Sequence, residues 1–258
     1  MKLADGQEAE DVRLSIALKQ PAGSSFKIYF KGQSPEDDGD FYEDLPWVEM
    51  ELEAGQIAGN SASQKNFTDF NFKLPSTVLN GDGVFNYTSK RVNALTIGTA
   101  GSGYTNTSSV DFIITGGGTP TRPAAVKATA LSGGGLGTIE IVDPGRGYSS
   151  APTITVAKNH TVSTFFASGT FVGNGSTLYE ATIGGTTGAS SAPTHGSGTA
   201  TDGTVTWTYR GVRPVVTCTV ADTTFERFKQ FSSKIVMLTS NTSVIPEAKQ
   251  LRIIALQA

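Results

Sequence analysis

Residues 12–19 read VRLSIALK, and this stretch decides the fold class. Valine, leucine, isoleucine and leucine occupy every second position, with charged or small residues between them. Because successive side chains of a β-strand point to opposite faces, this period-two pattern indicates a strand with one buried face. Residues 26–31 repeat the pattern as FKIYFK after a Pro-Ala-Gly-Ser turn, so the two segments together predict a hairpin.

The composition favours many short strands over a helical core. The 258 residues include 30 glycines, and only 38% are hydrophobic and 17% charged. The net charge of −3 gives no basic excess, so we expect no nucleic-acid partner. No apolar run approaches a membrane span, and the N-terminus has none that suggests a secretory signal. The single cysteine, Cys218, predicts no internal disulfide and fits synthesis in a reducing compartment.

Further strands are predicted on both sides of a glycine-rich middle. Residues 48–53 and 70–74 alternate as the first strands do. The continuous apolar run 235–238, IVML, is typical of a strand covered on both faces, and residues 251–256 form the last predicted strand. Only residues 223–230 and 246–250 are compatible with a helical turn.

The amino-acid composition changes twice along the chain. Residues from about 88 to 212 are rich in glycine, threonine and serine and poor in charge, whereas the two flanks share a different composition. Each flank alone has too few strands to cover a core, but together they supply enough for a sandwich. We therefore predict a discontinuous, antiparallel, jelly-roll-like β-sandwich with inserted small β modules. Its predicted parts are 1–88 and 213–258 for the sandwich, 89–160 for a first inserted module and 161–212 for a second.

A Gly-x-Gly-Tyr segment occurs twice, 44 residues apart, in the first inserted module. Each copy is followed by a predicted strand, which disfavours a phosphate loop because that site needs a helix after the glycines. We expect the glycines to allow a tight reversal and the tyrosine to lie over it, with its hydroxyl as a tether. In the second module, Asp202-Gly203 predicts a hairpin turn. The predicted turn residues are Gly101, Gly103, Tyr104, Gly145, Gly147, Tyr148, Asp202 and Gly203.

These motifs resemble those of tailed-bacteriophage virion proteins. The segment 145–156, with its Gly-x-Gly-Tyr and Ala-Pro-Thr-Ile-Thr-Val, resembles repeats of tail and baseplate proteins. The segment 184–207, from Gly-Gly-Thr-Thr-Gly to Asp-Gly-Thr-Val-Thr-Trp, resembles another small β module of such proteins. The segment 225–256 resembles a baseplate-type C-terminal β-sandwich. The first repeat copy departs from the pattern, because residues 104–109 lack the Ala-Pro of the second.

The candidates for chemistry all have simpler interpretations. No cysteine or histidine lies near His160 or His195 at a zinc-ligand spacing, and the acidic run 36–40 does not match a calcium loop. The glutamates at 49, 51 and 53 alternate with apolar residues, as an exposed strand face does. We therefore predict no catalytic residue, no metal, no cofactor and no enzymatic activity. For glycan stacking the candidate aromatic residues are Trp207 and Tyr209, with Trp47, Tyr104 and Tyr148 as further members of a platform.

The resemblance implies a structural component of the tail, baseplate or neck of a phage, made in the host cytoplasm and located in the virion. Its partners would be other virion proteins, in a symmetric homo- or hetero-oligomer. The alternative is a module that binds host-surface polysaccharide, and a third hypothesis is a depolymerase with paired carboxylates. In the first two, the repeat region would be what the protein displays, and the flanks would hold it in place.

Overall fold

A computed structural model describes residues 1–189, 192–240 and 242–257, and within them the chain is all-β. The only α-helix in these residues is α1 (Ser61–Lys65), and two 3-10 turns occupy Ser76–Val78 and Thr107–Ser109. The strands in chain order are β1 (Asp11–Lys19), β2 (Ser24–Gln33), β3 (Val48–Glu49), β4 (Glu51–Leu52), β5 (Thr68–Lys73), β6 (Asn86–Thr99), β7 (Phe112–Thr115), β8 (Ala125–Ser132), β9 (Gly135–Asp143), β10 (Thr153–Val156), β11 (Lys158–Asn159), β12 (Phe165–Phe166), β13 (Phe171–Asn174), β14 (Thr177–Ile183), β15 (Gly185–Thr186), β16 (Thr199–Asp202), β17 (Val205–Val212), β18 (Val215–Glu226), β19 (Gln230–Thr239) and β20 (Glu247–Leu256).

Contacts between residues divide the chain into two units. Unit 1 consists of Met1–Thr88 and Thr224–Ala258, and unit 2 of Ser89–Thr223. The boundaries fall within β6 and β18. The second boundary therefore lies after residue 223, whereas the change of composition is near residue 212. The division of the middle at residue 160 stays a prediction, and one apolar cluster joins Tyr104 and Val156 on one side of it to Phe171 and Leu178 on the other.

Unit 1 is a β-sandwich of two antiparallel sheets. One sheet has the strand order β20-β1-β5-β4 and the other the order β19-β2-β3. The alternating residues of β1 enter the core, where Val12 and Leu14 pack in one cluster with Ile28 and Phe30 of β2. The period-two pattern of the sequence is therefore the pattern of burial, because one face of each sheet is removed from water.

The predicted hairpin of residues 11–31 is wrong. β1 pairs with β20 and β5, whereas β2 pairs with β19 and β3, so the Pro-Ala-Gly-Ser turn carries the chain from one sheet to the other. Alternation specifies which side chains of a strand are buried but not which strand lies beside it. An arch between sheets and a hairpin within one sheet therefore have the same local pattern.

The C-terminal segment completes both sheets of unit 1. β20 pairs with β1 from Asp11 opposite Leu256 to Lys19 opposite Glu247, and β19 pairs with all ten residues of β2. The segments compatible with a helical turn, 223–230 and 246–250, form none, because these residues belong to β18, β19, β20 and the bends around them. Pairing with distant strands outweighs the local propensity of these segments.

The apolar run 235–238 is not covered on both faces. β19 is an edge strand, and its Met237 and Leu238 are exposed by 49% and 43%. A continuous apolar run indicates burial on two sides, but Met237 and Leu238 point to opposite faces of the strand and both are exposed, so this end of β19 is covered on neither face. Both residues belong to the candidate interface described below.

Unit 2 contains four small sheets. Their strand orders are β6-β18-β10-β7, β11-β13-β14-β17-β16, β8-β9 and β12-β15. All the registers described are antiparallel except that of β11 with β13. The strands that follow the two Gly-x-Gly-Tyr copies, β7 and β10, pair with each other, with Ile114 opposite Ile154.

Candidate functional site

The two Gly-x-Gly-Tyr copies lie at turns that only glycine fits well. Gly101, Gly103, Gly145 and Gly147 all have φ between +67° and +88°, a conformation that side chains with a Cβ rarely adopt. There is also no room for a side chain at Gly145, because a Cβ there would lie 2.7 Å from the backbone nitrogen of Ala124. The glycines therefore allow both the reversal of the chain and its close approach to a neighbouring segment.

Tyr148 tethers the second copy as the sequence predicts. Its hydroxyl accepts a hydrogen bond from the backbone N–H of Ala124 at 2.6 Å, and its own N–H donates to the carbonyl of Lys90 at 3.1 Å. Its ring lies against Gly117 and Gly145, where an added Cβ would come within 2.8 Å of ring atoms. The tyrosine thus joins three segments of unit 2 around one turn.

Tyr104 of the first copy is buried in a different way. Its ring lies 4.5 Å from that of Phe171, centroid to centroid, and its hydroxyl has no hydrogen-bond partner among the described residues. Burial raises the pKa of this phenol, so the group stays neutral. The first copy is held instead by its backbone, where the N–H of Tyr104 donates to the carbonyl of Gly134 at 2.9 Å.

The two tyrosines are therefore packed inside unit 2 and are not surface residues. Tyr104 and Tyr148 are only 3% and 4% exposed. The expectation that the two tyrosines belong to a glycan platform is wrong, because their rings are covered by their own module. The motif predicted the turns correctly, but exposure depends on what packs over them.

Trp207 has no surface for a ligand either. It is fully buried in a cluster with Phe166 and Tyr179, while Tyr209 packs at the side of the same cluster. The predicted stacking role of Trp207 is wrong for this structure, because no face of its indole reaches solvent. Period-two alternation in β17 places Val205 and Trp207 on the inner face.

Asp202 has more contacts than a turn residue needs. Its carboxylate accepts hydrogen bonds from Nε2 of His160 at 2.7 Å, from the N–H of Gly188 at 2.7 Å and from Nε1 of Trp207 at 3.4 Å. Burial alone would raise the pKa of the Asp202 carboxyl, but the hydrogen bonds outweigh it and the pKa lies below its usual value. Gly203, with φ +64°, completes the tight turn between β16 and β17.

The His160–Asp202 pair was missed in the sequence because 42 residues separate its members. Its other partners are an indole N–H and a backbone N–H, so the cluster joins His160, which follows β11, and Gly188 to β16 and β17. His195 lies against Tyr179, with 5.0 Å between the ring centroids. Both of its ring nitrogens are buried and lack a partner in the described part of the chain.

Glu49 and Glu53 form salt bridges with basic side chains. In residues 1–189, 192–240 and 242–257, no three histidine, cysteine, aspartate or glutamate side chains form a group that could hold a metal ion. Glu49 pairs with Lys27 at 2.8 Å, and Glu53 pairs with Arg13 at 3.4 Å. No helix in the same residues is long and apolar enough to cross a membrane.

The outer edges of β19 and β20 form the candidate interface. Both are terminal strands of their sheets, and no further strand in the described residues pairs with their outer edges beyond the bridge between Lys2 and Gln230. Ile245, in the turn between them, is 73% exposed, and Ile254 is 56% exposed. We call the exposed apolar side chains of these strands and this turn the edge surface: Met237, Leu238, Ile245, Leu251, Ile254 and Leu256.

The edge surface has a regular half and a bent half. A β-bulge in β20 lies opposite Ile16, where the register shifts and Gln250 has φ +56°. From Arg252 to Leu256 the register is regular, and Ile254 and Leu256 alternate with Ile253 and Ala255, which are partly buried against the core. In the sequence, apolar residues on both faces of this strand indicate the edge surface.

The edge surface consists of exposed apolar side chains at strand edges with which no further strand of the described residues pairs, apart from the Lys2–Gln230 bridge. Comparisons of the chain with models of protein families, with curated proteins and with solved structures found no match.

Proposed function

We propose that the chain is a structural component of a tailed-phage virion, of its tail, baseplate or neck, and that it acts through assembly contacts with other virion proteins. The observation that carries the proposal is the edge surface of unit 1. The sequence motifs in residues 145–156 and 184–207 resemble those of phage tail proteins, and this resemblance is the reason for proposing a phage virion as the assembly.

The edge surface has the properties of an unfilled contact. An edge strand presents unpaired N–H and C=O groups, and proteins that stay alone shield such edges with charges, proline or a cover. β20 has a bulge and two cations, Lys249 and Arg252, but the bulge exposes Leu251 and the regular stretch after it exposes Ile254 and Leu256. Exposed apolar groups beside unpaired backbone mark sites of protein contact.

Strand addition is the mechanism that fits these strands. A partner strand laid along β20 would satisfy the free backbone groups and bury Ile254 and Leu256 at the same time. A closed ring of copies, or a ring shared with another virion protein, repeats the same contact by symmetry. Met237 and Leu238 of the run at 235–238 would gain in the assembly the cover that unit 1 does not provide.

The test uses particles of the phage that encodes the chain. We expect mass spectrometry of purified particles to find the chain at a constant ratio to the major tail proteins. Particles produced with an Ile254→Lys gene should contain much less of it, although the variant is made and folded. Wild-type chain that stays wholly outside the particles would contradict the proposal.

A further inference from the structure

Two lysines and a tryptophan meet on the outer face of the sheet β19-β2-β3. Lys31 lies on β2 and Lys234 on β19, where Lys234 is opposite Tyr29, so the lysines are diagonal neighbours on one face. Nζ of Lys31 lies 4.8 Å from the ring centroid of Trp47, and Nζ of Lys234 lies 4.5 Å from it. One indole thus contacts two ammonium groups, at cation–π distance in each case.

Neither ammonium has a carboxylate partner in the described part of the chain. Lys31, only 3% exposed, donates to the carbonyl of Tyr42 at 3.0 Å, and Lys234 lies 4.8 Å from the ring of Tyr29. Nearby Lys27 is different, because it forms a salt bridge with Glu49 at 2.8 Å. The face therefore has one neutralised lysine beside two that form no salt bridge in the described residues and whose ammonium groups contact aromatic rings and a carbonyl.

The closeness of the two ammonium groups is unfavourable, and a bound anion would offset this. Burial, and after it the charge of Lys234, lowers the pKa of the Lys31 ammonium, while Asp40 acts in the opposite direction. The Asp40 carboxylate is itself engaged, since it accepts from the backbone N–H groups of Tyr42 and Glu43. A bound carboxylate would offset the repulsion between the two lysines.

We propose that Trp47, Lys234 and Lys31 form a binding site for an acidic saccharide, a sugar ring that bears a carboxylate. Lys234, the exposed lysine, would donate a hydrogen bond to the carboxylate. The charge of the buried Lys31 would attract the same carboxylate without direct contact. Trp47, which is 37% exposed, would pack against the C–H face of the sugar. The site lies within unit 1 and does not depend on the proposed assembly function.

A saccharide fits this surface better than an acidic peptide or a free anion. A free anion needs only the charges and leaves the half-exposed indole unused. An acidic peptide has no rigid apolar face at a fixed distance from its carboxylate, whereas an acidic sugar ring has both. The surface is open, so we expect an affinity in the millimolar range.

The test is a titration followed through the indole N–H signals in ¹H–¹⁵N NMR spectra of the whole chain. The chain has two tryptophans, so buried Trp207 is an internal control for Trp47. Trigalacturonic acid, up to about 20 mM, should shift the Trp47 signal and leave that of Trp207 in place. Its fully methyl-esterified form, which keeps the rings but loses the charge, should bind at least about tenfold more weakly.

Variants separate the site from general charge attraction. Lys234→Gln should weaken binding at least about tenfold, while Lys27→Gln, which removes an equal charge from the same sheet face, should leave it nearly unchanged. No shift of the Trp47 signal, equal shifts with the ester, or equal losses in the two variants would each overturn the proposal. So would triglutamate binding as tightly as the trisaccharide, since the surface would then be a site for acidic peptides.

Discussion

The hydroxyl of Tyr148 accepts a hydrogen bond from the backbone N–H of Ala124, 24 residues earlier in the chain, at 2.6 Å. Tyr104 occupies the same place in the other copy of the repeat, and its hydroxyl is equally buried but has no partner among the described residues. The same motif therefore builds one tethered turn and one that is held only by packing and backbone contacts. This difference allows a matched pair of variants.

Tyr148→Phe should destabilise unit 2 by about 1–3 kcal/mol, because it leaves the buried N–H of Ala124 without an acceptor. Tyr104→Phe should be neutral or stabilising, because it removes a buried hydroxyl that makes no hydrogen bond in the structure. Urea unfolding monitored by circular dichroism gives both free energies. Equal losses in the two variants would show that the tether contributes nothing.

Gly145→Ala should cost more than the strain of its backbone conformation. The added methyl would lie 2.7 Å from the nitrogen of Ala124, whereas at Gly116, with φ +74°, nothing lies within 4 Å. Gly116→Ala should therefore cost about 1–2 kcal/mol for the positive φ alone. Gly145→Ala should cost about 1–3 kcal/mol more, as overpacking does, and thermal unfolding of both variants measures the difference.

Asp202→Asn should destabilise unit 2 by about 1–3 kcal/mol at pH 7, because the carboxylate accepts three hydrogen bonds. The pKa of this carboxyl is lowered in the folded state, so its contribution is complete above its unfolded pKa of about 4. The contribution is lost as the pH falls through the folded pKa. The difference between wild type and variant in urea unfolding should therefore shrink only below about pH 4. A difference that disappears near pH 6 instead would show that Asp202 is not the titrating group.

Ile254→Lys should reduce self-association or partner binding without loss of stability, because the side chain is 56% exposed in unit 1. A charge beside a free strand edge opposes pairing with another strand. Val215→Lys is the matched control, since Val215 is 51% exposed but lies on β18, an inner strand of its sheet in unit 2. Sedimentation velocity at increasing concentration compares them. Equal sedimentation of Ile254→Lys and wild type, both associated, would place the contact elsewhere.

Local patterns predicted most of the strands and few of the contacts between them. Residues 12–18 and 153–156 alternate clearly, and both lie in strands of the structure. The glycine turns at 101 and 145 were also readable, because positive φ is a local demand that few other residues meet. The pairing of β1 with β20 was not readable, since nothing local distinguishes an arch between sheets from a hairpin.

The residues of the candidate sites are also far apart in the sequence, so local patterns do not predict that they meet. Lys31, Trp47 and Lys234 come from three separate strands or loops, and each has an ordinary local context. The sequence makes Trp207 a candidate for ligand stacking, but the packing of unit 2 buries it. A single strand contains no information on whether its polar face will be covered by another segment.

The sequence by itself determined that this protein is all-β, where its strands alternate and where its glycine turns lie, because these follow from backbone geometry over a few residues. The tertiary structure alone decided that Tyr148 is tethered to Ala124 and Tyr104 has no such bond, that Trp207 is buried and that β19 and β20 are left at open edges. Those outcomes depend on which distant segments pack together. That choice is set by the burial of the whole core and not by any one stretch of the chain.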